Sequence, residues 1–270
     1  MAGSAHEQAP PGMRAMKRLV VIGAGMASGR VLEHLFETDP QGYEVTLFNA
    51  EPRGNYNRIM LSPVLSGEKR YEDIVTHDEG WYAARGIRCR FGEHVVAIDR
   101  TRKVVIGEQG EVGYDNLLIA TGSAPVVIPV PGHDLPGVVT YRDLDDTRAM
   151  IAASRTGGRA VVIGGGLLGL EAAAGLRSRG MDVTVLHLAG HLMERQLDPD
   201  AGHLLRRDLE RRGITIRTRA ATKAILGEGR AEAVLLEDGT VIGADLVVMA
   251  VGIRPETRLA SDAGLSVARG

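Results

Sequence analysis

A single cysteine, Cys89, among 270 residues excludes an intrachain disulfide and a C-x-x-C redox pair. It lies in residues 87–91, an alternating strand-like run, and reads as inert packing. The eight histidines have no cysteine companions, so no metal site is expected. No apolar stretch reaches the roughly 18 residues that a membrane span needs. Charge of one sign is also missing: the net charge of −2 gives no reason to expect nucleic acid or an anionic membrane as partner. Residues 1–16 are rich in Ala, Gly and Pro and lack the apolar core of a signal peptide, so a disordered leader and a cytoplasmic location are the expectation.

What is present is an ordinary globular composition, 44% hydrophobic and 24% charged, in a length that suits one large or two medium domains. The most informative stretch is residues 160–172, Ala-Val-Val-Ile-Gly-Gly-Gly-Leu-Leu-Gly-Leu-Glu-Ala. An apolar run suited to a buried parallel strand leads into Gly164, Gly166 and Gly169 at G-x-G-x-x-G spacing, and a helix-forming run follows. Each glycine has a mechanical task. Gly164 allows a tight turn, Gly166 lets backbone approach a pyrophosphate, and Gly169 lets helix and strand pack closely. The helix start then offers N–H groups and a partial positive charge to the phosphates.

Residues 18–30 repeat the theme, with strand 20–22, then Gly23 and Gly25. Ser28 holds the third place and is small enough for close packing. Strand 44–48 comes next. The acid that binds a ribose is expected roughly 20 residues or more past the glycines, which singles out Glu51. The competing reading of Glu51 is a solvated loop acid beside Pro52. Residues 94–99, 103–106 and 111–114 read as a small antiparallel meander with Gly/Asp turns, and 116–119 as a buried strand entering the turn Ala120-Thr-Gly122. Residues 126–137 are a stiff proline-bearing connector. A helix over 143–153 leads to the central strand. Strand 182–186 matches 44–48. Residues 198–212 form a charged helix capped by Asp198, and a second meander turns at Asp238-Gly239. The last buried strand runs into Ala250-Val-Gly252. The chain is thus an internal repeat, and each half is expected to bind one dinucleotide.

The ordered set of residues 20–25, 120–122, 164–169 and 250–255 resembles the two-dinucleotide flavoprotein reductases, which include rubredoxin, ferredoxin and disulfide reductases. The resemblance covers about residues 17–267. It implies an α/β fold of two Rossmann-like, three-layer dinucleotide-binding domains, each with a small antiparallel β-meander. It implies an FAD-binding domain over 17–140, an inserted NAD(P)-binding domain over 141–260, and at 261–270 the start of a return to the first. The missing C-x-x-C excludes the disulfide-reducing branch. Residues 51–62, 81–87 and 192–198 are similar to the large subunit of assimilatory NAD(P)H-dependent nitrite reductases. The ferredoxin-reductase branch usually carries a lysine where Pro63 stands.

Two departures accompany this resemblance. The closing flavin segment of the family is absent, as are the iron–sulfur and siroheme modules of a full large subunit, so the expectation is an N-terminal piece with an incomplete FAD site. Further, His187 stands where a ribose-binding acid is expected, with no arginine directly after it to imply NADP; a plain solvated loop residue is the competing reading.

The implied chemistry is hydride transfer from NAD(P)H to FAD, then onward transfer of electrons to downstream redox domains for reduction of nitrite to ammonia, or to a small electron carrier. Glu171 is the candidate at the nicotinamide or flavin edge, against a helix-end carboxylate favoured by the dipole. Tyr56 and Arg58 are candidates to line the flavin ring, against a turn aromatic and a surface arginine. Thr121, Gly122 and Gly252 are expected to pass close to cofactor. A truncated NADH:rubredoxin or ferredoxin-type reductase is the alternative within the class, and a non-catalytic nucleotide sensor is the alternative outside it.

Overall fold

The structure is a computed structural model that describes residues 16–270; apart from Met16, the expected leader lies outside the described residues. In chain order the strands and helices begin with β1 (Lys17–Ile22), α1 (Met26–Thr38), β2 (Tyr43–Asn49), α2 (Leu61–Ser66), α3 (Glu79–Ala83) and β3 (Arg88–Phe91). Then come β4 (Val95–Asp99), β5 (Val104–Gly107), β6 (Gly110–Gly113), β7 (Asn116–Ile119), β8 (Ser123–Pro125), β9 (Val138–Thr140) and α4 (Leu144–Ser154). The second glycine motif joins β10 (Arg159–Ile163) to α5 (Leu167–Ser178), followed by β11 (Asp182–His187), α6 (Pro199–Arg211) and β12 (Ile214–Thr218). The chain closes with β13 (Thr222–Leu226), β14 (Ala233–Leu236), β15 (Val241–Gly243), β16 (Leu246–Met249), β17 (Ile253–Pro255) and α7 (Arg258–Asp262).

These elements form two compact units. The first takes the chain up to Tyr56, Thr76–Gly122 and Glu256–Gly270; the second takes Asn57–Val75 and Ser123–Pro255. The boundaries differ from those expected at 17–140 and 141–260. Physically, β9 pairs with β16 of the second sheet. Ile128, Val130 and Leu135 of the proline-bearing connector pack on the second core. Helix α2, from the loop between β2 and α3, packs on α4 and α5.

Within the first unit a four-stranded parallel sheet has the order β3-β2-β1-β7. Strand residues alternate faces. Leu19, Val21, Val45 and Leu47 pack against Leu32 of α1 and Tyr82 of α3. Val20, Ile22 and Phe48 point the other way, against Ile98 and Val105 of the antiparallel sheet β4-β5-β6. Helix, parallel sheet and meander are the three layers.

The second unit repeats the plan. Its parallel sheet has the order β12-β11-β10-β16-β9. Val161, Ile163, Leu186, Val247 and Met249 meet Ile225, Val234 and Leu236 of the meander β13-β14-β15. Helix α5 packs along β10 and β11 on residues such as Ala172, Ala173 and Leu176, all fully buried. Both units start and fasten their sheets alike. The Arg18 backbone N–H and guanidinium donate to Asp115, just before β7. Those of Arg159 donate to Asp245, just before β16. Among the described residues no helix is long and apolar enough to cross a membrane.

Candidate functional site

In the second unit β10 ends at Ile163 and the chain turns at Gly164, whose φ is +127°. A Cβ on Gly164 would stand 2.3 Å from the Ala250 carbonyl oxygen, and one on Gly169 would stand 2.0 Å from the Gly164 carbonyl oxygen. Only glycine fits either place. Gly166 is different: a Cβ there would meet nothing within 4 Å. It caps the start of α5 without a side-chain hydrogen bond, and the first turn of α5 holds no acidic residue. The helix start therefore presents its unpartnered N–H groups to the open side, the arrangement that binds an anion.

That open side is a cavity of about 830 Å³. Gly164, Gly166, His187, Glu194, Arg195 and Gly252 are among the residues lining it. His187, the last residue of β11, is 7% exposed. Its Nδ1 accepts the Gly165 N–H at 3.1 Å, so the ring proton belongs on Nε2. Glu194 Oε2 lies 2.9 Å from that Nε2. The contact is electrostatic but off the line a hydrogen bond needs, and Nε2 has no hydrogen-bond partner. The loop carrying Glu194 is held in place by the Met193 N–H, which donates to the Gly165 carbonyl at 3.0 Å. Met193 itself has a φ of +52°, sparsely allowed for a side chain of its size. Gly165 leaves room for both neighbours: a Cβ on it would come within 2.7 Å of His187 and Leu192.

Glu171 stands one turn into α5. Its Oε2 accepts from the Ser62 hydroxyl at 2.6 Å, and the Tyr141 hydroxyl donates to Ser62 Oγ at 3.1 Å. Tyr141 is fully buried, and burial pushes its phenol up to about 12 despite the Ser62 hydrogen bond. Arg58 lies in the same unit, and its Nη1 donates to the Arg142 carbonyl at 3.3 Å.

The first unit carries the parallel arrangement. Gly23 has a φ of +99°, and a Cβ there would stand 2.3 Å from the Ala120 carbonyl oxygen. Gly25 is open and starts α1 without a side-chain cap. Ser28, 1% exposed, turns its hydroxyl back to the Gly25 carbonyl at 3.0 Å. Asn49, at the end of β2, accepts the Ala24 N–H at 3.2 Å. Glu51 accepts from the Tyr56 hydroxyl at 2.9 Å and pairs with Arg53 at 3.1 Å. Tyr56 is 3% exposed, so it offers a ring little surface. Thr121 Oγ1 donates to the Glu256 carbonyl at 2.6 Å, and the Glu256 N–H donates to the carbonyl of Gly122, which has a φ of +73°.

The structure thus gathers Gly164, Gly166, His187 and Gly252 on one cavity, with Gly169 behind it in a packing position. The residues not foreseen are Glu194, Arg195, Ser62 and Tyr141. Ser62 and Glu194 lie inside the distinctive segments 51–62 and 192–198, so those segments carried the only signal.

A family model described as pyridine nucleotide-disulphide oxidoreductase matches residues 17–270. The chain is 48% identical over 255 residues to a nitrite reductase [NAD(P)H] of Bacillus subtilis (strain 168), covering 94% of this chain and 32% of that protein. It is 42% identical over 255 residues to an assimilatory nitrate reductase electron transfer subunit of the same organism, covering 94% and 33%. The chain therefore spans about a third of the length of these curated relatives. Among solved structures, the covalent putidaredoxin reductase–putidaredoxin complex is similar with a TM-score of 0.88 at 31% identity, covering 95% of this chain and 63% of that one.

Proposed function

The chain belongs to the pyridine nucleotide-disulphide oxidoreductase family, and from that membership we propose that it is the NAD(P)H-to-FAD electron-input part of a nitrite reductase. The observation carrying this reading is the doubled glycine turn. Gly25 and Gly166 each leave open space at an uncapped helix start, as a dinucleotide diphosphate requires. The residues of both units therefore fit the cofactors that the family implies.

In this proposal Gly23, Gly25, Thr121 and Gly122 hold the FAD diphosphate, Ser28 lets α1 pack closely behind it, and Glu51 holds its ribose. Tyr56 and Arg53 fix the Glu51 carboxylate. Gly164, Gly166, Gly252 and His187 hold the nicotinamide nucleotide, and Gly169 lets α5 pack closely behind them. When bound, the flavin would supply acceptance of hydride and release of single electrons, chemistry that belongs to the cofactor. The chain supplies geometry and exclusion of water. Glu171, the proposed catalytic side chain, is fixed by Ser62 at the first turns of α5. In a longer protein of the kind matched, iron–sulfur and siroheme centres would take these electrons and supply the reduction of nitrite to ammonia, in the cytoplasm. Delivery to a small carrier is the second reading, supported by the likeness to the putidaredoxin reductase complex.

The test supplies the chain with FAD, NADH and an artificial one-electron acceptor. Turnover above that of free FAD is expected. Failure to bind either nucleotide would overturn the reading. In the longer protein, NADH-driven loss of nitrite supports the siroheme route, and flavin turnover inert to nitrite supports the small carrier.

A further inference from the structure

The end of β11 poses a chemical puzzle. A buried imidazole, His187, lines the cavity with a proton on Nε2 and no hydrogen-bond acceptor for it. A buried donor left unmade is costly, of order 1–3 kcal/mol, so a ligand atom is the natural acceptor. Beside it stands a carboxylate oxygen of Glu194, 2.9 Å away and 38% exposed. Glu194 lies seven positions beyond the strand end, at 194 against 187, on the loop pinned by Met193 to Gly165. Both residues line the cavity, and the pair brings one donor and one acceptor to this end of it.

A hydroxyl satisfies both at once, since it accepts from Nε2–H and donates to the carboxylate. A phosphate satisfies only His187. At neutral pH it carries acceptors alone and repels Glu194. We propose that Glu194 supplies from the loop the ribose-reading carboxylate that β11 lacks at its end, that His187 and Glu194 together bind a hydroxyl of the adenosine ribose, and that the chain prefers NADH to NADPH. This rests on the nicotinamide-nucleotide reading of the second unit. Arg142 and the exposed Arg195 line the same cavity, and Arg195, beside Glu194, is the cation that would argue the other way by accepting a 2′-phosphate.

The experiment titrates the full chain separately with NADH and with NADPH and reads binding directly, by calorimetry or nucleotide fluorescence. NADH is expected to bind about tenfold or more tightly than NADPH. Glu194→Gln keeps the shape and removes the charge at an exposed position. It is expected to weaken NADH about tenfold, tighten NADPH and close the gap. Glu228→Gln, an exposed carboxylate between β13 and β14, is expected to change neither affinity. Equal or tighter binding of NADPH that is lost in Arg195→Ala overturns the proposal, as does an unchanged NADH/NADPH ratio in Glu194→Gln. Binding of neither nucleotide to the parent chain would instead remove the nicotinamide-nucleotide reading beneath it.

Discussion

Ser62 and Glu171 lie 109 residues apart in sequence, yet the Ser62 hydroxyl donates to Glu171 Oε2 at 2.6 Å. The bond ties α2 to the first turns of α5. Behind it, Tyr141 stays a protonated donor well beyond neutral pH, because burial holds its phenol at about 12.

Ser62→Ala therefore frees the Glu171 carboxylate to change rotamer without touching the glycine turn. NADH oxidation is expected to fall by about tenfold to a hundredfold, since small misplacements at a reacting centre carry such losses. NADH affinity should stay as it was. Tyr141→Phe removes only the outer member and should lower stability by about 1 kcal/mol, with a smaller effect on rate. Steady-state kinetics beside denaturant melts separate the two.

Gly164 and Gly166 should respond in opposite ways to alanine. Gly164→Ala forces a side chain into a φ of +127° and onto the Ala250 carbonyl, and should lower stability by about 1–3 kcal/mol or more. Gly166→Ala meets open space at a φ of −83° and should lie within about 1 kcal/mol of the parent. Its methyl group instead occupies the approach to the helix start, so nucleotide binding should be lost. Melting curves and nucleotide titration on both variants check the pair.

Acid stability depends on the two sheet-fastening aspartates. Hydrogen bonds from Arg18 hold Asp115 at about 2, and Arg159 holds Asp245 below its ordinary value. An acid depressed on folding stabilises above its unfolded pKa, about 3.9. That contribution is lost as pH falls through the folded value. Stability should therefore decline between about pH 4 and about pH 2. Asp115→Asn should flatten part of this decline, at the cost of lower stability at neutral pH. Denaturant midpoints across that window provide the measurement.

Burial pushes the Cys89 thiol up to about 11, with Glu79 adding to the effect. Little thiolate exists at neutral pH, so a thiol reagent should label the native chain slowly. Labelling should be fast once denaturant opens the first unit. Equal rates in both conditions would show Cys89 to be activated.

Much of this was legible in the sequence because it is local. The turns at Gly23 and Gly164, the open places at Gly25 and Gly166, and the cap by Asp198 all follow from short-range rules. Arg18 and Arg159 hold equivalent places, as do Asp115 and Asp245, and aligning the halves exposes the shared fastening. What stayed hidden is long-range. No periodicity says that α2, encoded between β2 and α3, packs with the second unit, or that Ser62 finds Glu171. Glu194 was hidden because its contact with His187 depends on a loop whose path is set by Met193 in a rare backbone conformation.

The way the chain divides has a practical meaning for anyone who would cut it. Leu65 of α2 is fully buried, and a Cβ on Gly175 of α5 would stand 2.8 Å from it. Residues 123–255 expressed alone would leave that notch on α5 bare, an apolar strip prone to self-association. A working excised module would have to carry Asn57–Val75 spliced back onto it, as a graft rather than a simple truncation.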